Sequence, residues 1–246
     1  MGQSIQGILF DLGDTLLEFG KIDAVKLFNV GAQRGYDYLA ELGVDLPDFT
    51  VYHRRHYWTV RWHYFKSRFN GRDFNILDSI DRIGHTFGHR LARENLVELA
   101  WRWYEPLSEI VWVEQGLAEM LSGLARRGLK LGVVSNTILP REVLDRHLAQ
   151  AGLLKHLPTR IYSSQEGFRK PSRTIFETAL STAGLEPAHT MFVGDSPWAD
   201  IKGSNRMGMI SVLKDPAGRH GPWKARPRHR IRSILQVPKI LDQYDR

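Results

Sequence analysis

The chain has 246 residues, of which 42% are hydrophobic and 25% are charged, as in soluble globular proteins. This length allows one large domain or two modest ones, and no apolar run approaches the ~20 residues that a transmembrane helix needs. The absence of Cys excludes disulfides, thiolate nucleophiles and thiolate metal ligands. Because no secretory signal or membrane segment is visible, we expect a cytoplasmic protein, and its net charge of +7 favours an anionic partner.

Residues 5–12 form a short apolar run that includes the carboxylate of Asp11, and Gly13, Asp14 and Thr15 follow it. A run this short and this apolar predicts a strand buried on both faces, as at the centre of a parallel sheet. In open parallel sheets, ligands bind beyond the carboxyl ends of the strands. Asp11 is therefore a candidate functional residue, although an Asp that starts a turn or caps a helix fits this stretch equally well.

The segment 18–107 has helical periodicity and no strand pattern. Four helices are predicted in it, over residues 24–42, 52–69, 75–92 and 94–104. In the second of them, Trp58, Trp62, Phe65 and Phe69 recur at steps of four, three and four. This spacing predicts that the aromatic stripe packs in the core of a helical unit, and a ligand-stacking surface is the alternative.

From residue 111 onward, apolar strand patterns alternate with helical patterns. The strands are predicted over residues 129–135, 161–163, 190–194 and 210–213, and the helices over 114–127, 141–151, 172–184 and 199–207. This alternation predicts an α/β fold with a doubly wound parallel sheet, which also takes in the first strand because a lone strand cannot pair with helices. We expect a core domain of residues 1–17 and 108–246 and an inserted all-helical cap domain of residues 18–107.

Polar residues end or follow four of the predicted strands. They are residues 11–15, 135–137, 169–171 and 194–196 with Asp200. Asp11 and Asp195 would repel each other at neighbouring strand ends unless a cation lay between them. Oxygen ligands without His or Cys favour Mg²⁺.

The remaining groups suit a phosphoryl group, since Ser135 and Asn136 offer hydrogen-bond donors and Lys170 offers a positive charge. An Asp that faces such groups can attack phosphorus and form an aspartyl-phosphate. Each residue also has an ordinary structural interpretation: Ser135 as a helix N-cap, Lys170 as a solvated loop residue, and Asp195 and Asp200 as cap and surface residues.

Four motifs in this order resemble the haloacid dehalogenase superfamily, in the branch with a helical cap inserted after the first motif. They are residues 10–16 (FDLGDTL), 133–136 (VVSN), 170–171 (KP) and 193–203 (VGDSPWADIKG). The resemblance covers nearly the whole chain apart from the interior of the cap and the segment after residue 214. It implies a Mg²⁺-dependent hydrolase that acts on a small anionic phosphorylated substrate.

The resemblance also implies a role for each matching residue. Asp11 would be the nucleophile and a Mg²⁺ ligand. The backbone carbonyl of Gly13 and the carboxylate of Asp195 would be further ligands, and Asp200 would support the metal. The phosphoryl group would be held by Thr15, Ser135, Asn136 and Lys170.

One position departs from the pattern of the phosphatases in this superfamily. In those phosphatases the first motif resembles Asp-x-Asp, and its second acid protonates the leaving oxygen. Here the position of the second acid is Gly13. We therefore expect that Asp14 acts as a surrogate acid or that the enzyme prefers activated phosphates, because a lost general acid costs ~10²–10⁴ in rate. The alternatives are a dehalogenase-type hydrolase and a catalytically weak binding protein.

Three further features leave alternatives open. His85 and His89 lie one helical turn apart, which suits a zinc site or ordinary surface histidines. Residues 214–232 hold seven Lys or Arg and one Asp, so nucleic-acid binding is a further possibility, although Trp223 is the one stacking aromatic there. Positively charged residues recur every seven positions in the second predicted helix, at Arg54, Arg61 and Arg68. They form a solvated helix face or help to attract an anionic substrate. The sequence does not specify the substrate or the oligomeric state.

Overall fold

The computed structural model of the chain describes residues 4–221 and 226–244, without the side chains of residues 68–70. One six-stranded parallel sheet lies at its centre. Its strands are β1 (Gly7–Phe10), β2 (Lys130–Ser135), β3 (Thr159–Tyr162), β4 (Thr190–Gly194), β5 (Ile210–Lys214) and β6 (His229–Ile231). They lie in the order β3-β2-β1-β4-β5-β6, so the predicted doubly wound parallel sheet is confirmed.

The winding of the sheet reverses at β1, which pairs with β2 on one side and with β4 on the other. Loops that follow strands on either side of such a point lead away from each other and leave a crevice at the carboxyl ends. Asp11 directly follows β1 and Asp195 directly follows β4. The topology therefore brings both residues to the crevice.

Apolar side chains cover both faces of the sheet, because successive side chains of each strand point to opposite faces. Leu9 of β1 packs in one cluster with Ile175 and Phe176 of a flanking helix, and Ile8 and Phe10 pack in the larger cluster on the opposite face. The flanking helices are α5 (Leu117–Arg126), α6 (Arg141–Gln150), α7 (Ser163–Glu166), α8 (Arg173–Ala183), α9 (Lys202–Met207) and α10 (Val237–Leu241). A π-helical turn, Pro197–Ile201, precedes α9.

Four helices lie between β1 and α5, and we call them the helical insert. They are α1 (Ala24–Glu41), α2 (Phe49–Asn70), α3 (Ile76–Thr86) and α4 (Arg93–Ser108). Glu18 pairs with Trp112 through two backbone hydrogen bonds, of 2.8 and 3.2 Å, where the chain leaves for the insert and returns from it. The division into a core domain and a cap domain at residues 17/18 and 107/108 stays a prediction.

The prediction for the aromatic stripe of α2 is wrong. Trp58, Trp62 and Phe65 are 61%, 64% and 55% exposed, and the side chain of Phe69 lies outside the described part. Tyr52 and His56 form the buried face of the helix instead. Periodicity identifies a helix face but does not decide which face packs inward, and here the inward face mixes polar with aromatic side chains.

Two helix ends also differ from the predictions. The helix predicted over residues 75–92 ends at Thr86, because the following turn contains Gly88 with a positive φ of 82°. The helix predicted over 94–104 continues to Ser108 and accommodates Pro106 in its last turn. None of the helices in the described ranges is both long and apolar enough to cross a membrane.

Candidate active site

Three residues from distant parts of the chain meet at the carboxyl ends of the central strands. The ammonium of Lys170 lies 2.5 Å from Asp11 Oδ1 and 2.7 Å from Asp200 Oδ1, and it donates to the carbonyl oxygen of Val134 at 2.8 Å. All three ionisable side chains are buried. Burial alone would lower the pKa of Lys170, but the two carboxylates outweigh this effect and raise it, so the lysine stays charged.

Asp195 brings a third carboxylate to this cluster. One oxygen each of Asp11, Asp195 and Asp200 lies within 4.8 Å of the others. Burial raises the pKa of Asp195, and the negative charges of Asp11 and Asp200 raise it further. One ammonium therefore faces three carboxylates, and this excess of negative charge, in an all-oxygen donor set, fits a hard divalent cation.

The geometry of Asp200 depends on Gly194 at the end of β4. A Cβ atom at position 194 would overlap the Asp200 carboxylate, so a glycine is needed for this close approach. The backbone N–H of Ser196 donates to Asp200 Oδ2 at 2.9 Å. Because Lys170 approaches its other oxygen, Asp200 is held on both sides, as suits a residue that supports a metal ligand.

The predicted phosphoryl-binding residues lie around the same cluster. Thr15 is buried, and its hydroxyl lies 3.4 Å from Asp11 Oδ2. Ser135 and Asn136 line the same cavity at the end of β2. The side chain of Asn136 accepts from the backbone N–H of Lys170 at 2.8 Å and donates to its carbonyl oxygen at 3.0 Å. Asn136 therefore positions Lys170, a function that the motif did not indicate.

The loop after Asp11 has a glycine at position 13, and Asp14 is the next carboxylate along the chain. Asp14 is exposed, has a positive φ of 51°, and accepts the backbone N–H of Phe19 at 3.1 Å. A Cβ atom at Gly13 would lie 2.9 Å from the ring of Phe19, so that ring occupies the space beside the glycine. Asp14 lines the same cavity as Asp11, and its charge also raises the pKa of Asp195.

The site opens into a cavity of about 920 Å³ that contains every predicted site residue except Thr15 among its lining residues. The sequence pattern of haloacid dehalogenase-like hydrolases matches residues 5–208 of the chain, which is most of its length. The chain belongs to this family. The match covers the strands that carry Asp11, Ser135 and Asp195.

Curated relatives of this family member agree with that assignment. It is 36% identical over 143 residues to "Haloacid dehalogenase-like hydrolase domain-containing protein 3" of Bos taurus, which covers 56% of the chain and 54% of the relative. This chain therefore spans about half the length of that relative. It is 24% identical over 238 residues to "Pyrimidine 5'-nucleotidase PynA" of Streptococcus pneumoniae, which covers 96% and 94%.

A solved structure confirms the fold. The 2-haloacid dehalogenase from Pseudomonas syringae superposes with a TM-score of 0.66 and 22% identity, over 98% of this chain and 99% of the other. At this identity the likeness establishes the architecture alone.

An ion pair and several hydrogen bonds join the insert to the core, and the sequence did not predict them. Asp73, in the loop between α2 and α3, accepts from Arg169 Nη1 at 3.2 Å and from Ser163 Oγ at 2.6 Å. Backbone hydrogen bonds join the same two loops, from Asp73 to Gly167 and from Arg169 to Gly71. These partners lie 90 or more residues apart, and no local pattern connects them.

Two further sequence hypotheses concern a zinc site at His85 and His89 and nucleic-acid binding by residues 214–232. His85 pairs with Asp81 at 3.4 Å, and in the described ranges the acidic cluster is the one group of three or more side chains able to hold a metal. At the start of the basic segment, Lys214 and Asp215 are buried and belong to the core. Trp223 and Lys224 lie outside the described residues, so nucleic-acid binding stays untested.

Proposed function

We propose that this family member is a Mg²⁺-dependent phosphohydrolase that acts on a small phosphorylated metabolite through an aspartyl-phosphate. The observation that carries the proposal is the position of Asp11. Its carboxylate ends the central strand, contacts Lys170, and lies beside two more carboxylates in one large cavity. The nucleotidase named among the relatives adds support for phosphorylated substrates.

The metal proposal rests on the donor set and its charge. Asp11, Asp195 and the carbonyl oxygen of Gly13 would hold Mg²⁺, and Asp200 would orient the site. When bound, the ion would supply positive charge that offsets the negative charge of the phosphoryl oxygens.

The chain's own side chains then account for the chemistry. A carboxylate oxygen of Asp11 attacks phosphorus, a new O–P bond forms, and the bond from phosphorus to the leaving oxygen breaks. Lys170, Thr15 and Ser135 offer donors to the phosphoryl oxygens, which reduces the cost of the developing charge. Water then attacks the same phosphorus, so that inorganic phosphate leaves and the Asp11 carboxylate is restored.

The leaving oxygen needs a proton unless it is a stable anion. We propose Asp14 as its source, because Asp14 lines the cavity and no acid stands at position 13. Asp14→Asn is a clean test, since the amide oxygen can still accept the N–H of Phe19. The rate of the variant on alkyl phosphates should fall by a factor of ~10²–10⁴. Its rate on acetyl phosphate should not change, because that leaving group needs no acid. Equal rates of variant and wild type on alkyl phosphates would exclude Asp14 as the acid.

The overall proposal is tested by phosphate release from alkyl, aryl and acyl phosphates with Mg²⁺ and after its removal by EDTA. Asp11→Asn should abolish turnover, and Asp45→Asn, in the exposed loop between α1 and α2, should not change it. Mass spectrometry of acid-quenched samples should find phosphate on the Asp11 peptide. Release of halide from 2-haloacids without Mg²⁺ would instead favour the dehalogenase alternative, and no turnover of any substrate would favour a binding protein.

A further inference from the structure

A second cavity, which we call the insert chamber, lies beneath the helical insert. It has a volume of about 430 Å³, within the range of about 300–1,000 Å³ that is typical of small-molecule sites. The two cavities share part of their walls, including Tyr104, Asn136, Thr137 and Arg169. A molecule whose phosphoryl group lies at Asp11 can therefore extend into the insert chamber.

The walls of the insert chamber are mainly apolar and aromatic. All four helices of the insert contribute, with Leu27, Phe28, Val60, Ile76, Ile80 and Trp103 among the lining residues. The rings of Phe28 and Trp103 meet edge to face with their centroids 4.8 Å apart. Walls of this kind favour an aromatic group and disfavour a strongly hydrated sugar or polyol, which would lose its hydrogen bonds to water.

One buried imidazole adds a specific polar group to these walls. His56 is 3% exposed, and its Nδ1 lies 2.9 Å from the carbonyl oxygen of Tyr52. Because a carbonyl oxygen only accepts, Nδ1 carries the proton and Nε2 is left as a bare acceptor. Burial lowers the pKa of His56 to about 4, so the ring is neutral at pH 7. Nε2 has no hydrogen-bond partner within residues 4–221 and 226–244, and the residue lines the chamber.

We propose that the insert chamber binds the leaving group of the substrate, and that this group is an aromatic alcohol with one hydrogen-bond donor for Nε2 of His56. The proposal rests on the proposed phosphohydrolase function and narrows its substrate class. A substrate with a donor at this position gains a hydrogen bond to Nε2 within a mainly apolar cavity. An aromatic alcohol without a donor displaces water from the chamber and forms no hydrogen bond to Nε2 in its place.

The test compares four phosphate esters under identical Mg²⁺ concentrations. They are the esters of glycerol, 2-phenylethanol, 2-(3-hydroxyphenyl)ethanol and 2-(4-hydroxyphenyl)ethanol. We expect the aromatic esters to exceed the glycerol ester in kcat/KM by about ten-fold or more, because a phenyl ring buries far more apolar area. The better hydroxylated ester should exceed the 2-phenylethanol ester by about five-fold or more, as one added hydrogen bond allows.

Variants separate His56 from a general effect of the insert. His56→Phe should remove the preference for the hydroxylated ester, and His56→Gln, which keeps an acceptor, should retain part of it. His63→Phe is the matched control: His63 lies two turns further along α2, contacts Ser79 Oγ at 2.9 Å, and lines neither cavity. His63→Phe should keep the wild-type ratio, and circular dichroism of each variant checks that it is folded.

A binding measurement distinguishes failure of this inference from failure of the proposed function. Calorimetry with Asp11→Asn and phosphate-free 2-(4-hydroxyphenyl)ethanol should detect binding that the His56→Phe substitution weakens by about five-fold. Binding of that kind without turnover of any ester would support the chamber and reject the phosphohydrolase. Turnover of acetyl phosphate without aromatic preference and without alcohol binding would overturn the chamber assignment, and so would a hydroxyl preference that persists in His56→Phe.

Discussion

Lys214 connects the end of β5 to the loop that follows the candidate nucleophile. Its side chain is almost completely buried, and its ammonium donates to the carbonyl oxygens of Asp14 and Thr15 at 3.0 and 3.1 Å. It also forms an ion pair with Glu18, whose side chain is 15% exposed. Glu18 is the residue that pairs with Trp112 at the base of the insert. One ammonium therefore holds the loop beside Asp11 and the start of the insert together.

Replacing Lys214 by Met keeps the apolar stem and removes the charge. The substitution leaves a largely buried Glu18 carboxylate and two carbonyl oxygens without their donor. Removing one partner of a buried ion pair costs about 3–5 kcal/mol, because the remaining charge is uncompensated. We expect Lys214→Met to lower the free energy of unfolding by that amount. Adding Glu18→Met should recover about half of the loss, since the double variant no longer buries an unpaired carboxylate.

Urea unfolding followed by circular dichroism measures all four members of this double-mutant cycle. Lys155→Met, on an exposed turn, is the matched control and should change stability by less than about 0.5 kcal/mol. A cost below about 1 kcal/mol for Lys214→Met would refute this reasoning. So would additive costs of the two substitutions, because additivity would mean that Lys214 and Glu18 do not interact.

Three further predictions concern His56, Gly194 and the tryptophans. Burial lowers the pKa of His56 from 6.5 to about 4, so between these pH values the unfolded chain binds a proton on this ring and the folded chain does not. The free energy of unfolding of the wild type should therefore fall by ~3 kcal/mol as the pH falls from 6.5 to 4. Urea unfolding of His56→Gln at pH 7 and pH 4.5 should lack this part of the loss, and an identical pH dependence would contradict the assignment. Gly194→Ala should displace Asp200 and reduce the Mg²⁺-dependent rate about ten-fold or more, and a wild-type rate in steady-state assays would show that the added methyl is accommodated. Thermal unfolding should show a loss of about 3–5 kcal/mol for Trp101→Ala, which is 1% exposed, and less than about 0.5 kcal/mol for Trp62→Ala, which is 64% exposed.

The sequence determined the architecture and indicated which residues lie together in the candidate site. Short apolar strands alternating with helices specify a parallel sheet, because each pattern depends on near neighbours in the chain. Once the sheet is parallel, residues at the carboxyl ends of its strands must share one edge. For that reason Asp11, Lys170 and Asp195 could be placed together before any contact was known.

Tertiary structure alone decided what the contacting side chains do. The aromatic stripe of α2 has the spacing of a core face, yet Trp62 is exposed and His56 is buried, because the neighbouring helices select the inward face. The sequence places Lys214 in a basic segment, whereas in the structure its ammonium pairs with Glu18, 196 residues away. Asn136 likewise binds the backbone of Lys170 across 34 residues. Packing between distant segments sets these contacts, and local periodicity holds no information about it.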